Sequence, residues 1–359
     1  MRKKKGTTSK TNGGTNRAEL IKALNLVKPA LAGSGAMSEI YTHFAFDGSN
    51  VMAYNDYAFI KTPVNVPVQC TVIAEPFFNL MNSINGEVVD LTMDGNELSV
   101  KTKSIKSKFR TLEIREFSEP SKFPQKGKRL PANFFVALDY CLTTVAKSRT
   151  DPLIHTIAVV NDDMISTDTV RASFFPLQGA DLPNMLIPLE SAEAIIALRD
   201  QILNYELVQE AKWDTWLGFN LSTEGVLTGK LMVGQFGVDR EVLGLENFTE
   251  EITFPEEITT IVERCKYFSA GLEKMERNII TLEIAQKKLT CSLSNPTLGD
   301  FTEVIPIDCS MNTILAMNLE YFDEVTQITR KAKINPSNQN AIVFYEDEFG
   351  YNQLIALEG

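Results

Sequence analysis

The sequence predicts an α+β fold made of six copies of one unit, each a helix followed by three or four short antiparallel strands, paired into three tandem domains of two helices packed on antiparallel sheet. Three observations predict it. Helical periodicity returns at a nearly constant interval, the stretches between helices alternate in polarity and carry turn residues, and two loop-like stretches divide the chain. The helical segments start at Arg17, Ala74, Pro131, Pro188, Pro255 and Asn318, which are 57, 57, 57, 67 and 63 residues apart.

The first segment, RAELIKALNLVK, places Leu20, Leu24 and Val27 on one face. The second is AEPFFNLMNSI. The third, PANFFVALDYCLTTVAK, lines up Phe134, Leu138, Cys141 and Val145. The fourth is PLESAEAIIALRDQIL, the fifth, PEEITTIVERCKYF, aligns Ile258, Ile261, Val262 and Cys265, and the sixth is NLEYFDEVTQITRKA. Proline near the start of four of them suits a first turn, where its fixed φ fits and its missing N–H is not needed. Between helices, runs such as FAFDGSNVMAYNDYAFI, VVDLTMDGNELSV and IAVVNDDMISTDTVRASFF alternate apolar and polar residues around Asp-Gly and Asn-Asp turns. One helix on one small sheet buries too little core to stand alone, so the units pair. Loop-like stretches at 117–129 and 244–254 divide the chain into domains at 17–125, 126–250 and 251–359. Residues 1–16, polar and carrying Arg2, Lys3, Lys4 and Lys5, read as a mobile basic tail.

The chain has 359 residues, 44% hydrophobic and 23% charged, which is ordinary globular material. Its 35 Lys/Arg and 46 Asp/Glu give a net charge of −11, a value that on its own argues against nucleic acid. That sum conceals a split. Residues 1–150 hold 21 Lys/Arg against 13 Asp/Glu, a net of +8, whereas residues 151–359 hold 14 against 33, a net of −19. The five cysteines are scattered and far from the two histidines, so they read as reduced thiols of a cytoplasmic protein and not as a zinc site. No apolar run approaches the ~20 residues of a membrane span, and no membrane partner is expected.

Several local stretches resemble the sliding-clamp family, specifically the three-domain β subunit of bacterial DNA polymerase III and its phage relatives. RAELIKALNLVKPALA resembles the family's first helix, and GNELSVKTKSIKSKFRTL resembles the strand, basic hairpin and S-[RK]-F run that closes its first domain. LPANFFVAL opens the second domain, STDTVRASFF resembles an A-T-D-G-H-R-L-A stretch, and LTCSLSNP resembles the Asn-Pro turn of the third. The order of these stretches, over residues 17–359, carries the resemblance more than any one of them. Thr169 and Val170 stand where the family has Gly-His, the chain ends LIALEG in place of a Met-containing tail, and the family's first strand is hard to see in TTSKTNGGTN.

The resemblance implies three tandem DNA-clamp domains closing as a ring around duplex DNA, held without base readout, with helices lining the channel. Six units per chain imply a head-to-tail homodimer, and the +8 and −19 parts suit a contact of domain one with domain three. Polymerase and clamp loader would dock through short apolar peptide motifs. Carried over residue by residue, that peptide pocket uses Ile154, Thr167, Thr169, Val170, Arg171 and Ala172, with Val242 opposite and Leu354 and Ile355 from the C-terminal strand. Phosphate contacts are expected from Lys22, Asn25 and Lys28 on helix one, Lys147 and Arg149 at the end of helix three, and Arg199 on helix four. Arg264 and Lys266 on helix five and Arg330 and Lys331 on helix six complete that set. No catalytic residue, cofactor or metal is implied.

Other readings start from other residues. There is no GxxxxGK[ST], GxSxG or HExxH motif. His155 and Asp168 can be drawn as a hydrolytic dyad, but Asp168 follows a strand and suits a turn cap, as Asn55-Asp56 does in the first domain. Asp162-Asp163 and Glu346-Asp347-Glu348 suit solvated turn carboxylates better than an ion site. A structural or interaction protein of repeated modules without DNA is the remaining alternative.

Overall fold

The structure, a computed structural model, describes residues 14–33, 38–117, 119–179, 182–209, 215–269 and 278–358. It contains the six expected helices: α1 (Arg17–Val27), α2 (Ala74–Ser83), α3 (Phe134–Thr144), α4 (Leu189–Ala197), α5 (Ile258–Ser269) and α6 (Leu319–Thr326). Two of them are capped by asparagine. Asn16 Oδ1 accepts from the Ala18 and Glu19 amides at 3.0 and 3.2 Å, and Asn318 Oδ1 accepts from Glu320 and Tyr321 at 2.8 and 3.4 Å.

The chain forms two compact units, residues 1–129 with 193–231 and residues 130–192 with 232–359. The first holds an eleven-stranded antiparallel sheet running from Thr15–Asn16 at one edge to Ile202–Gln209 at the other. Within it, Ala58–Pro63 pairs with Val226–Lys230, so strands from residues 17–125 and 126–250 share one sheet. The second unit holds an eight-stranded sheet, in which Arg171–Pro176 pairs with Tyr351–Ala356, and a four-stranded sheet of Gly299–Pro306, Lys288–Asn295, Ile279–Ala285 and Thr313–Asn318. Its main core joins α5 and α6 to these strands, with Phe254 ringed by Phe322 and Phe344 at centroid distances of 5.5 and 5.9 Å.

A turn recurs at the same place in three strand pairs. After Asn50–Tyr54, Asn55 Oδ1 accepts from the Tyr57 and Ala58 amides at 3.0 and 2.7 Å. After Asp163–Thr167, Asp168 Oδ1 accepts from Val170 and Arg171 at 3.1 and 2.9 Å. At the end of Lys288–Asn295, the last residue of the strand takes this part, Asn295 Oδ1 accepting from Thr297 and Leu298 at 2.9 and 3.2 Å. Each is an Asx turn, a side chain standing in for a backbone acceptor.

Four helix ends differ from expectation. α1 stops at Val27 and Lys28 begins a 3-10 turn, because Pro29 has no N–H for the next ladder bond. α3 stops at Thr144, after which the Ala146 amide is taken by the carbonyls of Ile154 and Thr167, so Lys147 and Arg149 lie in the following loop. Arg199 opens a 3-10 turn beyond α4, leading into the strand Ile202–Gln209. α6 stops at Thr326, and Lys331 begins a strand laddered to Glu250–Thr253 and Ala341–Glu346, leaving Arg330 in the turn before it. Ile328 and Thr329, β-branched residues just after α6, favour the ladder over another helical turn.

At the other end, Thr15 and Asn16 pair with Val89 and Val88. The strand that TTSKTNGGTN obscures is therefore present, and it takes these two residues out of the expected 1–16 tail. Residues 1–13, with Arg2, Lys3, Lys4 and Lys5, lie outside the described residues.

Candidate peptide-binding surface and exposed cations

Directly opposite residues of antiparallel strands share a face, so the register of the eight-stranded sheet defines a row. Thr167 stands opposite Ala172, Ala172 opposite Leu354, and Leu354 opposite Val343. Lys333 continues the row beside Val343 and pairs with Glu251 at 3.3 Å. Ile165 and Phe174 lie on the same face as Ala172, and Phe236, Val238, Leu243 and Leu245 pack against the three of them. This covering segment is fixed by Arg240, whose guanidinium grips Asp163 at 2.8 and 3.1 Å and lies 5.5 Å from the centre of the Phe174 ring.

The expected pocket residues divide between two faces. Thr167, Ala172 and Leu354 share the row, and Ile154 is tied beside them through the Ala146 amide, which its carbonyl shares with that of Thr167 at 3.2 Å each. Thr169 and Val170 form the exposed turn at its end, where the Val170 carbonyl accepts from Ala356 at 2.9 Å. Val242 is 66% exposed at the tip of the covering segment, while its neighbour Leu243 makes the apolar contact.

Arg171 and Ile355 point the other way. Ile355 is buried in the core of α5 and α6. Arg171, only 8% exposed, donates to Asp168 at 3.0 Å, to the Thr143 carbonyl of α3 at 2.6 Å and to Glu324 of α6, with its guanidinium 4.0 Å above the Tyr321 ring. Burial disfavours its charge, but Glu324 and Asp168 outweigh that and push its pKa above the ordinary arginine value.

The ten candidate phosphate contacts are unequal. Lys22 is exposed on α1 with no ion-pair partner among the described residues, Asn25 donates to Ile21 of its own helix, and Lys28 lies over the Phe78 ring at 4.9 Å. Lys147 donates to the Leu142 carbonyl at 3.2 Å, and Arg199 is exposed. The remaining five are each held by a carboxylate or a carbonyl. Arg149 pairs with Glu190, Arg264 holds Glu303 in a fork at 2.9 and 2.6 Å, Lys266 pairs with Asp323, and Lys331 pairs with Asp347 at 2.5 Å. Arg330 donates to the Phe254 carbonyl at 3.0 Å.

His155 and Asp168 do not meet as a dyad. His155 Nδ1 lies 2.7 Å from the Ala146 carbonyl and Nε2 lies 3.3 Å from Glu190, whereas Asp168 caps its turn and binds Arg171. All five cysteines are free and buried, and burial pushes the thiols of Cys70, Cys141, Cys265 and Cys291 up to about 12. No helix of the described residues is long and apolar enough to cross a membrane.

No family model matches the sequence, and no curated protein does. Solved structures do match. The β subunit of DNA polymerase III from Thermotoga maritima superposes with a TM-score of 0.77 at 14% identity, over 96% of this chain and 98% of that one. The Streptococcus pneumoniae β chain gives 0.79 at 15% identity, covering 96% and 99%. The Bartonella birtlesii sliding clamp, solved bound to griselimycin, gives 0.79 at 16%, covering 96% and 98%. This chain has the sliding-clamp fold.

Within the clamp fold, the sequence does not single out Val343, nor Phe236, Val238, Leu243 and Leu245 on either side of the expected Val242. Val343 carries one usable signal, the alternation of AIVFYE, but its place beside Leu354 depends on a register between distant strands. Arg171 carries a clearer one. It is adjacent to Ala172 in a strand, so the two side chains must face opposite sides of the sheet.

Proposed function

We propose that this protein is a DNA sliding clamp, a processivity factor of replication. One observation carries the reading: near-complete mutual coverage with DNA polymerase III β subunits at TM-scores of 0.77 to 0.79, so that the whole architecture and not one module is alike. Two chains close head-to-tail into a ring around duplex DNA, with three tandem domains per chain divided near 125 and 250, the first now including Thr15 and Asn16. The recurrent Asx turns at Asn55, Asp168 and Asn295 support a threefold division. Charge supports the closure. The strand Lys106–Leu112 exposes Lys106 and Arg110, while Gly299–Pro306, an edge of the four-stranded sheet, exposes Asp300. The ring acts in the cytoplasm by topology, not by a catalytic step, and carries no cofactor. The row through Ala172 and Leu354 takes a short apolar peptide of the replicative polymerase or the clamp loader.

After loading onto nicked circular DNA, the protein is expected to stay with the circle through gel filtration and to leave when the circle is linearised. Equal loss from both forms would overturn the ring. Phosphate contact by α1 is expected to show in salt dependence, since each cation lost from a phosphate lowers the log–log salt slope by about 1. Lys22→Glu with Lys28→Glu therefore lowers that slope by about 2 in binding to linear duplex. An unchanged slope would remove α1 from the DNA-facing surface.

A further inference from the structure

The first two Asx turns differ at one position. In the first, the residue after the Asx is Asp56 at φ 79°, a residue type that tolerates the left-handed region, and its carboxylate accepts from the Tyr54 hydroxyl at 3.1 Å. In the second it is Thr169, at φ 78°. The third turn is of another shape, since Pro296 follows its Asx and holds φ negative. A β-branched residue at φ 78° is strained, and the chain makes the same turn at Asp56 without that strain.

No side-chain contact of Thr169 among the described residues offsets it. Thr169 is exposed, and its hydroxyl has no hydrogen-bond partner among the described residues. The backbone around it cannot relax. Its amide donates to Thr167 Oγ1 at 3.0 Å, Thr167 Oγ1 donates to the Arg171 carbonyl at 2.7 Å, and the Val170 carbonyl holds the Ala356 amide. The turn stands at the end of the strand pair that carries Thr167 and Ala172, with Val170 beside it 38% exposed.

We infer that Thr169 is a specificity-determining residue, held against its backbone preference so that it and Val170 form a β-branched rim selecting the peptide that lies on the Ala172–Leu354 row. The inference rests on the peptide-binding reading above. An extended peptide presents alternate side chains to such a row, so the residue between two anchors passes the rim, and a bulky one is rejected there.

Two labelled probes test this, acetyl-Ser-Leu-Ser-Leu-Phe and acetyl-Ser-Leu-Trp-Leu-Phe, titrated by fluorescence anisotropy. The unaltered protein is expected to prefer the first by about tenfold. Thr169→Gly reduces that preference to about twofold, while the melting temperature rises by about 3 °C as strain is released. Thr169→Asn, which tolerates the same φ without β-branching, gives the same reduction and guards against a glycine-specific loosening. A preference retained in both variants overturns the inference, whether the affinities fall together or stay put. If the unaltered protein binds neither probe, the peptide-binding reading itself fails and this one with it.

Discussion

Replacing Arg171 by alanine is expected to destabilise the second unit by about 3–5 kcal/mol, the usual cost of removing one partner from a buried charge network. The side chain joins three elements at once: the end of α3 through the Thr143 carbonyl, the Asx turn through Asp168, and α6 through Glu324 and the Tyr321 ring. Glu324 is partly exposed and can turn to water, but Asp168 and the Thr143 carbonyl are left with poor alternatives, so the loss is real even at the lower end of that range. Arg171→Lys recovers only part of it, because one ammonium cannot reproduce a planar fork reaching three acceptors. Urea unfolding of both variants checks this. A loss under about 1 kcal/mol in Arg171→Ala would mean that the network adds little, as many exposed pairs do.

That role was only half legible in the sequence. Family resemblance places Arg171 in a peptide pocket, while strand alternation alone places it opposite Ala172, on the side of the helices. Helix starts were legible to within about three residues: Asn16 and Asn318 cap α1 and α6 locally, whereas Pro131, Pro188 and Pro255 lie just before α3, α4 and α5 and not inside their first turns as expected. Helix ends were less so. The termination of α6 before Arg330 is decided by the pairing of Lys331–Ile334 with Glu250–Thr253, some eighty residues away, and no local preference announces it. The candidate DNA contacts suffered most from long-range pairing. Arg264 and Glu303, or Lys266 and Asp323, look like independent solvated charges in the sequence and neutralise each other only once α5 meets its neighbours. The positive charge available to phosphate is thus smaller than a count of helix cations implies, and Lys22 and Lys28 are its better representatives.

The largest functional effect is expected from Ala172→Phe. The corresponding residue of the first unit is Phe59, which follows Asn55 at the same distance as Ala172 follows Asp168 and faces Thr228 where Ala172 faces Leu354. Phe59 lies in an aromatic cluster with Tyr54, Phe117 and Phe123, at centroid distances of 6.5, 6.2 and 5.7 Å. One face of the same architecture is thereby filled with rings, while the other has at the matching position a buried methyl group, beneath Phe236, Val238, Leu243 and Leu245. Placing phenylalanine at 172 is expected to fill the second face as the first is filled, and to weaken peptide binding thirtyfold or more, the scale of a lost anchor of roughly 2 kcal/mol. Because Ala172 is opposed by a segment that crosses the outside of the sheet, Leu243 and Phe236 can shift outward, which keeps the overpacking cost to about 1–3 kcal/mol. Retention on circular DNA should therefore survive while peptide capture does not. Leu354→Ser tests the same surface by removing apolar contact where Ala172→Phe adds bulk. If both variants bind the probe peptide as tightly as the unaltered protein does, the row through Ala172 and Leu354 is not where the peptide docks.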